Sequence, residues 1–129
     1  MHTRREETKH ISRLLKRADF LRVQNAGQKW VTPTCIVQMA DTDPPNILSI
    51  RYGLTITKKI WPRAVDRNRV RRRVRAVALA VLVAAGERVH NRDIVILPRA
   101  AALTAPVTTL HKDLTWAIKR LTTPDNKTP

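Results

Sequence analysis

From position 48 to 57 the chain alternates. Leu48, Ile50, Tyr52, Leu54 and Ile56 fall on one side, and Ser49, Arg51, Gly53, Thr55 and Thr57 on the other. A period of two predicts a strand with one face on a core and the other face small and polar, open to something lying across it. Upstream, Trp30–Ala40 contains TCIVQMA, β-branched and apolar, which reads as one strand or two. DTDPPN then supplies a turn, where Asp41 and Asp43 read as turn formers that bond their own backbone. Downstream, DIVILP is apolar throughout and predicts an interior strand.

Elsewhere the period is that of a helix. Arg17–Ala26 places Phe20 and Val23 on one face and stops at Gly27. Ala64–Ala85 sets Val70, Val74, Val77 and Val81 on one stripe. Thr104 is positioned to cap a last helix with Pro106 in its first turn, whose buried stripe is Val107, Leu110, Leu114, Ile118 and Leu121. The order is αβββαβα, or αββαβα if Trp30–Ala40 is a single strand. It predicts an α+β two-layer sandwich with helices on one face of a mostly antiparallel sheet. Residues 12–121 form one domain, between a polar N-terminus (1–11) and a proline-bearing tail (122–129) expected to be flexible.

Composition changes this picture in one respect. The formal net charge is +15, which says nothing of fold but predicts attraction to a polyanion. The lone Cys35 excludes an internal disulfide and a cysteine zinc cluster, and in its strand it reads as a small core residue. The N-terminus MHTRREETKH has no apolar segment, and the longest apolar run, Ala76–Ala85, is about half a membrane span. The expectation is a cytoplasmic protein with no membrane partner.

Catalytic patterns are missing. His2, His10, His90 and His111 have no metal-ligand spacing, there is no G-x-S-x-G, and three glycines do not make a phosphate-cradling loop. No catalytic residue, metal ligand or small-molecule site is assigned to the polypeptide. It reads as a binder.

The binding chemistry is concentrated in one place. Lys58, Lys59, Arg63, Arg67, Arg69, Arg71, Arg72, Arg73 and Arg75 stand against the single acid Asp66. Asn68, Arg72 and Arg75, at i, i+4 and i+7, form a stripe opposite the valines. A solvated helix face would need acids in register for ion pairs, and like charges at these spacings repel. Arginine forks bind phosphate oxygens in pairs. The aliphatic stripe therefore anchors the helix, and the arginines face a nucleic acid.

The stretch GLTITKKIWPRAVDRNRVRRRVR resembles the signature of the bacterial ribonuclease P protein subunit: a strand, Lys-Lys, then A-V-x-R-N-R and further basic residues at helical spacing. RLLKRADFLRVQNAG is similar to that family's N-terminal segment, and RDIVILPRAAA to its late strand. The likeness runs from about Arg13 to Leu121. It implies an αβββαβα sandwich with a left-handed crossover through the arginine helix, although parallel crossovers are generally right-handed. It also implies an RNA enzyme whose large RNA subunit, with Mg²⁺, removes the 5′ leader of precursor tRNA. The protein would bind that ribonuclease P RNA through Lys58, Lys59, Arg63, Arg67, Asn68, Arg69, Arg72, Arg73 and Arg75. The leader would lie in a cleft between the first helix and the polar sheet face, at Phe20, Lys16, Arg17, Gln24, Gln38 and Arg51.

The chain also departs from the family pattern. Gln24 and Gln38 stand where members often carry aromatics, Trp61 where many have Gly, and Ala76 where Glu is common. The rival readings are a ribosomal or other structural RNA-binding protein, a DNA-packaging protein, and a protein-only nuclease. The last needs clustered acids for a divalent metal, and the ten acids here are scattered.

Overall fold

A computed structural model of the chain describes residues 11–123. Five strands form one sheet: β1 (Ile11–Arg13), β2 (Gln28–Val31), β3 (Cys35–Asp41), β4 (Ile50–Leu54) and β5 (Arg92–Pro98). Three helices accompany them, α1 (Arg17–Ala26), α2 (Ala64–Ala85) and α3 (Val107–Leu121), with 3-10 turns at Gly86–Val89 and Ala100–Leu103. The expected αβββαβα order is present, with β1 added in front.

Ile11, expected in the flexible N-terminus, instead pairs with Ile50 and packs against the core. At the other end the Thr122 hydroxyl donates to the Ile118 carbonyl at 2.7 Å and closes α3. The remainder of both expected flexible ends, 1–10 and 124–129, lies outside the described residues.

The strand order is β1-β4-β5-β3-β2. Apolar DIVILP becomes the central strand, paired with both β3 and β4. The sheet is evenly mixed rather than mostly antiparallel: β1–β4 and β4–β5 are parallel, β5–β3 and β3–β2 antiparallel. The reason is α2, which carries the chain back along its 22 residues so that β5 starts beside the start of β4.

Nor do the helices share one face. α2 and α3 cover the side carrying Val37, Met39, Tyr52, Ile94 and Ile96, the main core. α1 lies on the other side, where Val23 packs with Leu14 and Val95. A strand that is apolar at successive positions presents apolar side chains both ways, so Val95 and Leu97 require a second cover.

Two helix ends explain their glycines. A Cβ at Gly27 would run into the carbonyl oxygens of Val23 and Met39, so only glycine lets α1 turn this tightly onto β3. Gly86 follows α2 at φ 57°, the left-handed region. The valine stripe of α2 is buried as predicted at 70, 74, 77 and 81. Thr104 caps nothing in α3; it ends the preceding 3-10 turn, and Pro106 takes the position before Val107. Leu48 lies ahead of β4 in an exposed turn, and Val107 is exposed.

Candidate RNA interface

The basic segment begins where β4 ends. The Lys59 N–H donates to the Thr57 hydroxyl at 3.0 Å, which turns the chain and leaves Lys58 and Lys59 exposed. Trp61 is buried and anchors the turn to the core. Arg63, exposed, precedes α2 and provides no side-chain cap. The positive end of the helix dipole thus meets a cluster of cations, an arrangement that favours an anion nearby.

Within α2 the predicted contacts divide. Asn68, Arg69 and Arg72 are exposed. Arg71 donates to Asn68 Oδ1 at 2.8 Å, which fixes the two side chains relative to each other. Arg67 instead donates to the carbonyls of Trp61 and Pro62, at 2.9 and 2.7 Å, and holds the incoming turn. Arg73 reaches the carbonyls of Ala102 and Ala105 and ties α2 to the chain before α3. Arg75 is half-buried, and its Nε finds no partner. The presenting surface is therefore Lys58, Lys59, Arg63, Asn68, Arg69 and Arg72, while Arg67 and Arg73 are engaged internally. Helical spacing places both beside the valine stripe, Arg67 three and seven residues before Val70 and Val74 and Arg73 between Val70 and Val77, but the carbonyls that engage them come from the fold.

On the α1 side, Phe20 and Gly53 define the floor of a groove. A Cβ at Gly53 would collide with the Phe20 ring, so the ring rests where β4 has no side chain. The groove, about 390 Å³, is lined by Leu15, Arg17, Phe20, Leu21, Gln24 and Thr55. It brings together three of the six residues predicted for the cleft. Lys16 is exposed at the start of α1 and does not line it. Gln38 is half-buried on the same side of the sheet, in register with Lys29 and Val95.

Arg51 has a different role. Asp93, fully buried, accepts from Arg51 Nε at 2.8 Å and Nη2 at 2.6 Å, from the Thr42 hydroxyl at 2.9 Å, and from Arg22 of α1. Asp19 adds a second carboxylate, 3.6 Å from Arg51. Hydrogen bonding to Asp93 pushes the Arg51 guanidinium further up from its ordinary value, so it stays charged. The network fastens α1 to the sheet, and none of its members lines the groove. Thr55 was placed by the alternation on the open polar face, whereas Leu15, Leu21 and Asp93 went unseen in the sequence; for Asp93, the one sign was a carboxylate opening an apolar strand.

The chain that carries these surfaces has known relatives. The family model described as Ribonuclease P matches residues 9–122. The ribonuclease P protein component of Paramagnetospirillum magneticum is 38% identical over 113 residues, covering 86% of this chain and 83% of that protein. The chain belongs to the ribonuclease P protein family. Its role is therefore in tRNA processing, within the ribonuclease P holoenzyme, and it binds RNA. The component from Bartonella quintana is 36% identical over 116 residues, covering 86% of this chain and 84% of that one. The solved RNase P protein of Thermotoga maritima superposes with a TM-score of 0.66 at 23% identity, over 84% of this chain and 96% of that one. A Staphylococcus aureus RNase P protein gives 0.66 at 22%, over 83% and 92%. At those identities the two structures establish the fold. Among the described residues, no helix is long and apolar enough to cross a membrane.

Proposed function

We propose that this ribonuclease P protein grips the catalytic ribonuclease P RNA with the exposed face of α2 and holds the 5′ leader of precursor tRNA in the α1 groove. One observation carries the reading: the two surfaces sit on different elements, one dominated by lysine and arginine and one built around an aromatic ring with polar neighbours. The first suits the sequence-independent charge of a folded RNA, which arginine meets through phosphate oxygens. The second suits a single strand, where Phe20 offers a ring for an unpaired base and Arg17 and Gln24 offer donors.

Cleavage belongs to the RNA in this reading. Hydrolysis of the phosphodiester calls for Mg²⁺, and among the described residues no three carboxylate, histidine or cysteine side chains gather to hold one. Asp93 and Asp19 are engaged by Arg22 and Arg51, and Asp113 accepts from Thr34. The metal is thus expected on the RNA and substrate, with the protein lowering the repulsion between two polyanions. Reconstitution with the cognate ribonuclease P RNA at low Mg²⁺ tests this by scoring 5′-leader removal. Addition of the protein should restore cleavage there. Cutting by protein and Mg²⁺ without the RNA would overturn it.

A further inference from the structure

On the opposite side of the sheet from Phe20, α3 and the β2–β3 turn enclose a second groove of about 580 Å³. That volume is in the range of small-ligand sites. Its walls include Trp30 and Val31 at the end of β2, Pro33 from the turn, and Lys112, Trp116 and Lys119 from α3. Lys112, Trp116 and Lys119 stand at i, i+4 and i+7, so a ring and two cations share one helix face. Trp116 is 51% exposed, so one part of a large ring faces the groove's opening.

The ring is held in place. Arg120 lies between two tryptophans, its guanidinium carbon 4.9 Å from the Trp30 ring centre and 5.7 Å from that of Trp116. A cation placed this way fixes the orientation of both rings and adds positive charge beside them. The Arg120 Nε has no hydrogen-bond partner. The one carboxylate in the wall, Asp113, accepts from the Thr34 N–H at 3.2 Å and the Thr34 hydroxyl at 2.6 Å, and is directed into the fold.

An exposed aromatic face rimmed by lysines with no free acid is complementary to an unpaired nucleotide. We infer that this groove is a second single-strand RNA site, stacking one base on Trp116 with neighbouring phosphates on Lys112 and Lys119. A second copy of the chain is disfavoured as the occupant, because two molecules of net charge +15 would meet cation to cation. The inference stands apart from the leader reading, since α3 and α1 lie on opposite sides of the sheet.

The test is octaadenylate binding, measured by calorimetry at low salt, to the full chain carrying Arg69→Ala and Arg72→Ala on α2 and Phe20→Ala in the α1 groove, so that neither surface already described supplies the signal. Residual binding is expected, weakened roughly five-fold or more by Trp116→Ala and largely retained by Trp116→Phe, because a base needs a ring to stack on. Lys112→Ala with Lys119→Ala should flatten its salt dependence. Trp116 is exposed, so the melting temperature should hardly move and gives the folding control. Three results would overturn the inference: no residual binding, residual binding indifferent to Trp116→Ala, or an octaglutamate peptide binding as tightly as the RNA. Self-association of the RNA-free chain that Trp116→Ala abolishes would assign the groove to a second copy and overturn it too.

Discussion

Arg51 and Asp93 form a two-pronged pair across adjacent parallel strands, with Nε 2.8 Å from Oδ1 and Nη2 2.6 Å from Oδ2. The carboxylate is fully buried and also holds Arg22 of α1. Breaking such a pair from the acid side leaves two arginines facing a neutral group in a partly dry site. Asp93→Asn should therefore cost about 3–5 kcal/mol of folding stability, read as a lower urea midpoint with an unchanged slope. Arg51→Ala should likewise lower stability. If Arg51→Ala left the urea midpoint unchanged and weakened only precursor binding, Arg51 would be a leader contact after all.

Phe20 and Gly53 make the next forecast. If the ring receives a leader base, Phe20→Ala should weaken precursor tRNA more than mature tRNA, by roughly 1–3 kcal/mol. Gly53→Ala should act in the same direction, because the new methyl displaces the ring from its seat. Equal losses for both RNAs in a binding assay would make Phe20 a packing residue against the Leu14, Val23 and Val95 cluster.

How much of this was legible in the sequence follows from which interactions are local. α1 and α2 begin and end where periodicity, and for α1 the following Gly27, placed them, since helix termination depends on neighbours a few residues away. β1 was invisible: Ile11–Arg13 is three residues long, and it is a strand only because β4 has an unpaired edge to offer. The same holds for the site. The arginine helix was legible as a charge pattern, but the diversion of Arg73 depends on carbonyls 29 and 32 residues away, and that of Arg51 on an acid 42 residues away. Sequence order shows which residues are cationic. Only the packing shows which cations have already found an acceptor.

Cys35 gives a pH dependence. Burial pushes its thiol up to about 11, from an ordinary 9.0, because the thiolate is disfavoured in the core. The folded state therefore holds the proton more tightly than the unfolded chain. This contribution is complete below the ordinary value and is lost as pH rises toward the folded one. Between neutral pH and pH 10 it should fall by about 1 kcal/mol. Cys35→Ala has no thiol to ionise, so the gap in unfolding free energy between wild type and variant should shrink over that window. A gap that stays constant from pH 7 to about 10 would contradict the buried thiol.

Neighbouring arginines on α2 make opposite forecasts. Arg69 and Arg72 are exposed and touch no carbonyl, so replacing either with Ala should leave the urea midpoint almost unchanged. Each should reduce RNA affinity and flatten the dependence of log affinity on log salt by about one unit, as expected when one phosphate contact and its released counterion disappear. Arg73→Ala removes charged donors from the Ala102 and Ala105 carbonyls. It should cost roughly 1.5–3 kcal/mol of stability and leave the salt slope close to wild type. Val74→Asp, one residue further on, places an unpaired charge in the fully buried stripe and should abolish folding. The comparison separates charge that anchors the helix from charge that meets RNA. If Arg69→Ala and Arg72→Ala together left both affinity and salt slope unchanged, the exposed face of α2 would be solvated surface and the RNA would have to dock elsewhere.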